Sequence, residues 1–176
     1  MMRITLSAIA ILFFTACPAF GAEEVLITVE SSAFDDGEAI PYKYSLAGEN
    51  VSPPISWSDI PYNAKSFAVI CEDPDAPSGL WVHWVVFNIP SDISAIPEDL
   101  PDEGALAGGI IQGVNDFGRI GWDGPAPPEG VHRYIFRVYG LDSMLDLGPG
   151  ASRKELLSAM DGHIIARGSI TGTYEK

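Results

Sequence analysis

The sequence predicts an all-β fold, and three observations predict it. Glycine and proline are both plentiful, 18 and 14 of the 176 residues, which favours a turn-rich β protein over a helical bundle. Apolar runs of strand length, rich in β-branched and aromatic residues, recur between turn-forming stretches. Only one segment carries the periodicity and capping residues of a helix.

Taken in order, residues 25–30 read as a first strand, and residues 31–37 and 47–54 as turn-rich connections. Two consecutive prolines, Pro53 and Pro54, lack ladder donors and exclude a central strand there. Residues 55–57 read as a short strand and 61–65 as a turn. Residues 67–71 and 82–89 then form a pair of strands around a polar, proline-rich loop. Residues 91–109 are polar and acidic and read as a long surface connection, followed by a short strand over 110–114. Residues 115–130, NDFGRIGWDGPAPPEG, form a loop whose glycines allow unusual backbone angles. Residues 131–141 alternate as a strand: His132, Tyr134, Phe136 and Val138 share one face, and Arg133, Ile135, Arg137 and Tyr139 the other. Ser152 and Glu155 have the spacing of a capping box, ahead of an apolar face with Leu156, Leu157, Met160 and Ile164. Gly162 is a stop signal, and His163 at the helix end suits a capping or packing role. A last strand runs over 164–174.

The totals limit the function classes. Hydrophobic residues make up 47% and charged residues 19% of a chain long enough for one domain with a substantial core. The net charge of −14, with no run of Lys and Arg, repels nucleic acids and anionic lipid surfaces, so no nucleic-acid partner is expected.

Residues 1–21 read as a signal peptide. Arg3 supplies the positive end, residues 4–14 the apolar run, and Ala19-Phe20-Gly21 the small-x-small cleavage pattern. Residues 22–176 would then form a single exported domain, periplasmic or secreted. No other stretch approaches the length of a membrane span, so the mature chain is expected to have no stable membrane insertion. The rival reading is a lipoprotein signal with Cys17 as the lipidated residue. Cleavage after Gly21 leaves Cys71 as the one cysteine, without an intrachain disulfide, and its strand context makes it a buried residue.

The chemistry concentrates at two stretches of like design. Each is a proline-rich loop leading into a strand whose first residues include a histidine, His83 in one and His132 in the other. Asp73 and Asp75 end the strand before the first loop. Antiparallel pairing brings Asp73 and His83 to the same sheet end. If the second histidine strand is close by, His132 joins them. Gly121, Gly124 and Gly130 let the second loop approach, with N–H groups able to point into the same space. Imidazole donors and backbone N–H groups suit a phosphate-sized anion. Asp73 would orient one imidazole and favour its charged form. Equally, Asp-Pro-Asp can be a turn whose carboxylates accept backbone N–H groups, the expected role of Asp75.

These residues resemble the phosphatidylethanolamine-binding protein family, also called the Raf kinase inhibitor protein family, in its bacterial branch. The first signature is Asp73-Pro74-Asp75-Ala76-Pro77 followed by His83. The second is Gly124-Pro125 with Pro127-Pro128, then Gly130-Val131-His132-Arg133-Tyr134. Asn50-Val51-Ser52-Pro53-Pro54 with Trp57, and Gly172-Thr173-Tyr174 near the C-terminus, extend the resemblance from about residue 25 onward. It implies an all-β fold with a few short helices, in which a central antiparallel sheet with Greek-key connections packs on a smaller sheet. It implies a pocket for phosphate, phosphoethanolamine-like or carboxylate groups, lined by Asp73, His83, Gly124, His132 and Tyr134. It also implies cis peptides in the loop of Pro74 and Pro77. Trp122 and Ala126 depart from the Tyr and Cys of many bacterial members, and no eukaryote-type C-terminal helix follows the last strand.

The leading expectation is a non-enzymatic binding module for a small anion, without cofactor, catalytic residue or metal. A protein partner, modulated in the manner of a kinase inhibitor, is an extension that the sequence leaves unidentified. The alternative is a metal-dependent or hydrolytic enzyme using His83, His132 and Asp73. No serine lies in a Gly-x-Ser-x-Gly setting to serve as its nucleophile. The third reading is a purely structural or interaction protein.

Overall fold

A computed structural model describes residues 24–176, so the proposed signal peptide, its cleavage site and Cys17 lie outside the described residues. The strands are β1 (Val25–Leu26), β2 (Thr28–Glu30), β3 (Ile55–Ser58), β4 (Ser66–Asp73), β5 (Trp81–Pro90), β6 (Ala95–Ile96), β7 (Ile111–Gln112), β8 (Val131–Leu141) and β9 (Ile164–Glu175). One α-helix, α1 (Arg153–Met160), and two 3₁₀ turns, Tyr42–Tyr44 and Ala107–Gly109, complete the set. The all-β expectation with short helices holds.

The strands form a six-stranded sheet of order β1-β9-β8-β4-β5-β7 and a three-stranded sheet of order β2-β3-β6. All pairings are antiparallel except β1 with β9. The order β8-β4-β5-β7 places the returning fourth strand beside the first of three consecutive ones, which is a Greek key.

β4 is buried along its whole length because the large sheet is covered on both faces. Phe67, Val69 and Cys71 join a core with Trp57, Tyr134 and Phe136 on the side of the small sheet. Ala68 and Ile70 join a second core with Leu156 and Met160 of α1 on the other. Neighbouring residues of one strand therefore serve different cores. β8 has the predicted limits and the predicted faces: His132, Tyr134, Phe136 and Val138 are buried and Arg133 is exposed. The capping box of α1 is formed. Glu155 N–H donates to Ser152 Oγ at 3.3 Å, and Ser152 N–H donates to Glu155 Oε2 at 2.8 Å. Gly162, at φ 77°, takes the left-handed conformation that follows the helix.

Several boundaries differ from expectation. The first strand splits at buried Ile27: β1 pairs with β9 in the large sheet, and β2 pairs with β3 in the small one. Local propensity does not distinguish one long strand from a strand that changes partners. The connection over 91–109 contains β6, two residues long, which pairs with β3. The strand expected over 110–114 shortens to β7, because Val114 turns away to bridge Ile120 and Ser152. Ile164 belongs to β9 and not to the helix face. The described residues contain no cis peptide bond, so the peptides before Pro74 and Pro77 are trans, the form ordinarily preferred by about 0.5–1 kcal/mol.

Candidate functional site

The antiparallel ladders place the end of β4 beside the starts of β5 and β8. Asp73 is in register with Trp81, and Glu72 with both Val82 and Ile135. The two histidine strands thus flank β4, and Asp73, His83, His132 and Tyr134 meet at one rim around a cavity of about 190 Å³. Trp81 and Phe117 complete its aromatic wall. His83 and His132 are 2% and 6% exposed.

Asp73 orients His132, not His83. Its Oδ2 lies 2.7 Å from His132 Nδ1, while its Oδ1 accepts the N–H of Asp75 at 2.8 Å. The Asp-Pro-Asp turn and the imidazole contact therefore coexist on one carboxylate. Asp75 accepts a backbone N–H as expected, that of Arg133 at 3.0 Å. It also takes the Arg133 guanidinium through two further bonds of 2.9 and 2.8 Å. That pair, with Arg133 as the main cause, holds the Asp75 carboxyl down at about 2. It ties the β4–β5 loop to the start of β8.

His83 is held differently. Its Nδ1 lies 2.5 Å from the carbonyl oxygen of Asp123. Its ring meets Tyr134 and Phe117 edge-on, with centroids at 5.1 and 5.4 Å. Burial pushes this imidazole below its ordinary value, against the opposing pull of the Asp123 carbonyl and the Asp73 charge. Tyr134 Oη is buried without a hydrogen-bond partner among the described residues. Burial, reinforced by the Asp73 charge, pushes its phenol far above the usual range.

Asp123 was not singled out by sequence reasoning, and it holds the whole loop. Its carboxylate is 1% exposed and takes Asn115 Nδ2 at 2.8 Å, Arg119 Nε at 2.8 Å and Asn50 Nδ2 at 3.3 Å, with a further bond from Arg119 Nη2. Gly124 lies behind the cavity wall. Its N–H donates to Asn50 Oδ1 at 2.8 Å and so does not point into the cavity, contrary to the expectation for the loop glycines. A Cβ there would sit 2.0 Å from the Tyr44 carbonyl oxygen, so only glycine permits this packing. Trp81 and Phe117 were also missed. Their only signal was an aromatic residue beside each histidine-bearing segment.

The other expectations are placed as follows. His163 pairs with Asp142 Oδ1 at 2.8 Å at the opposite end of β8 and takes no part in the rim. Cys71 is fully buried, and burial pushes its thiol well above the ordinary value, which withholds the thiolate a nucleophile needs. Among the described residues no group of three or more His, Cys, Asp and Glu side chains has the geometry to hold a metal ion. His83, His132 and Asp73 share the rim, but both Asp73 oxygens and both Nδ1 atoms are already engaged.

Comparison with known proteins follows the same lines. The sequence pattern described as phosphatidylethanolamine-binding protein matches residues 30–175. A UPF0098 protein of Methanothermobacter thermautotrophicus is 51% identical over 150 residues, covering 85% of this chain and 99% of its own. The crystal structure of CT736 from Chlamydia trachomatis, described as a homologue of that binding protein, superposes with a TM-score of 0.79 at 44% identity, over 86% of this chain and 98% of its own. YbcL of E. coli, described as a new member of the mammalian family, gives 0.80 at 35% identity, over 85% and 98% of the two chains.

Two outcomes test this geometry. Asp123→Ala removes the buried carboxylate that receives Asn115, Arg119 and Asn50, and leaves Asn115 Nδ2 only the Gly121 carbonyl at 3.2 Å. Urea denaturation should show a loss on the order of 3 kcal/mol; a loss below about 0.5 kcal/mol would deny the carboxylate its role. The second concerns pH. The His83 value is lowered from 6.5, so below that pH the unfolded chain takes up a proton that the folded ring refuses. The unfolded state then binds more protons, so stability rises with pH in this window and falls as the pH drops from 6.5 toward the lower folded value. His83→Gln should remove that component of the acid slope; an unchanged slope would contradict a ring held neutral by burial.

Proposed function

Because this chain belongs to the phosphatidylethanolamine-binding protein family, we propose that it is a binding module whose rim cavity takes one small anionic group, a phosphate, a phosphoethanolamine-like group or a carboxylate. The observation that carries this reading is the disposition of the two imidazoles. Each spends Nδ1 on the protein, each borders the cavity, and neither Nε2 has a partner among the described residues. A space of about 190 Å³ suits a headgroup-sized ion and is well below the size of ordinary drug-like ligand sites. His132 is oriented by the Asp73 carboxylate against its Nδ1, which leaves its Nε2 for the ligand. The net charge of −14 opposes anions at long range, so the close contacts must supply the affinity.

The reading carries no catalytic step: ligand capture is its whole chemistry. It also carries export, on the strength of the Arg3, residue 4–14 and Ala19-Phe20-Gly21 pattern. Peptide sequencing of the protein from a periplasmic extract should find a mature N-terminus near Ala22. Recovery of the full-length chain only in the cytosol would remove that part of the reading.

Phosphoethanolamine titrated into the protein should shift the ring-proton NMR signals of His83 and His132 together and leave His163 in place. His132→Ala should weaken binding in calorimetry by about 10- to 100-fold, the loss expected for a charge-assisted hydrogen bond. Ring signals that ignore the ligand would end the anion-pocket reading.

A further inference from the structure

We propose that the cavity selects anions that still carry an acidic hydrogen, phosphomonoesters in particular, over phosphodiesters and sulfates. This rests on the anion-pocket reading and specifies its ligand class.

The inference starts from the fixed tautomer of His83. The carbonyl of Asp123 can only accept, so Nδ1 at 2.5 Å from it carries its hydrogen. In the neutral ring Nε2 is then a lone pair, and His83 borders the cavity. A fully deprotonated oxyanion placed against that nitrogen would set lone pair against lone pair. Either the ring gains a proton or the ligand brings one. The surroundings weigh against a free imidazolium. His83 is 2% exposed, and its edge-on neighbours are the rings of Phe117 and Tyr134. The charged groups facing it are the carboxylates of Asp73 from β4 and of Asp123 from the loop. Asp73 already serves His132 and the Asp75 N–H, and Asp123 already serves Arg119, Asn115 and Asn50. A ligand O–H donating to His83 Nε2 resolves the clash without an added charge on the ring.

His132 completes the pair. Its Nδ1 donates to the Asp73 carboxylate at 2.7 Å, and with a second hydrogen on Nε2 the doubly protonated ring donates to a second ligand oxygen. The strand partner across from it is Tyr174 of β9, and Asp75 nearby is committed to Arg133. One imidazole accepting and one donating suits an acid monoanion with a hydroxyl and an oxyanion on the same centre. A phosphate monoester has this form below its second pKa of about 6. A phosphodiester or a sulfate ester, with equal charge, has the oxyanion but no hydroxyl.

Methyl phosphate and methyl sulfate are close in shape and, at a pH of about 5, equal in charge. They differ in the central atom and in one acidic hydrogen, which only methyl phosphate carries. Calorimetric titration of the mature protein at that pH should give methyl phosphate at least about tenfold the affinity of methyl sulfate and of dimethyl phosphate, the worth of one hydrogen bond to a charged group. Phosphoethanolamine should likewise exceed glycerophosphoethanolamine, the soluble diester counterpart of a lipid headgroup. Equal affinity for methyl phosphate and methyl sulfate would overturn the selection while leaving the anion pocket standing. A glycerophosphoethanolamine affinity equal to that of phosphoethanolamine would overturn it in favour of a lipid headgroup. The apolar depression of about 540 Å³ that shares Ala126 with the cavity would give the tail of such a lipid a path. Binding by none of these compounds would overturn both the selection and the reading beneath it.

Discussion

The buried carboxylate of Asp123 is the constraint on which the rest of the site depends. The segment between β7 and β8 has no regular secondary structure, so its backbone groups lack a ladder to satisfy them. Asp123 ties the segment together through side chains instead, collecting Asn115, Arg119 and Asn50 on two oxygens. Asn115 extends the arrangement, accepting the N–H groups of Phe117 and Arg119 on its own oxygen. The loop is thereby brought against the first strand of the rim, and the Asp123 carbonyl lands on His83. The side chain shapes the loop, and the main chain of the same residue decides the tautomer of the imidazole.

The sheet supplies the complementary half. β4 is sandwiched between two cores, so consecutive residues at its end face opposite layers. Asp73 turns to the side of the small sheet and meets His132. Glu72 turns to the side of α1, where Arg137 and Arg153 pair with it. A carboxylate that is 1% exposed is costly to bury alone, and two guanidiniums from β8 and α1 offset that cost. The same strand end thus carries a structural ion triad on one face and the ligand rim on the other.

Charge arrangement at the rim follows from burial more than from net charge. The chain carries −14, and two of its carboxylates stand beside the imidazoles. Those carboxylates are bonded to protein donors, and each rim histidine spends Nδ1 on the protein, which leaves the Nε2 of each imidazole for a ligand. Such a site distinguishes ligands by where their hydrogens lie as well as by their charge.

The sequence by itself determined the features that depend on neighbours a few residues apart. The period-two alternation of β8, the Ser152–Glu155 cap and the positive-φ Gly162 are all decided within one strand or one helical turn, and each stands where it was read. The meeting of Asp73 and His83 was legible too, because antiparallel pairing puts the end of one strand beside the start of the next, whereas the arrival of His132 was conditional on its strand lying beside β4. Tertiary structure alone decided the rest. The split at Ile27, the pairing of β6, the diversion of the Gly124 N–H to Asn50 and the choice of Asp123 as the holder of His83 join residues far apart in sequence. The separation is 74 residues for Gly124 and Asn50, and 40 for His83 and Asp123. Any of several Asn, Asp and Gly residues in these loops had the chemistry to make such bonds. Which ones did so was settled by the packing of the two sheets, since a buried polar group bonds to whichever partner the close-packed core brings within reach.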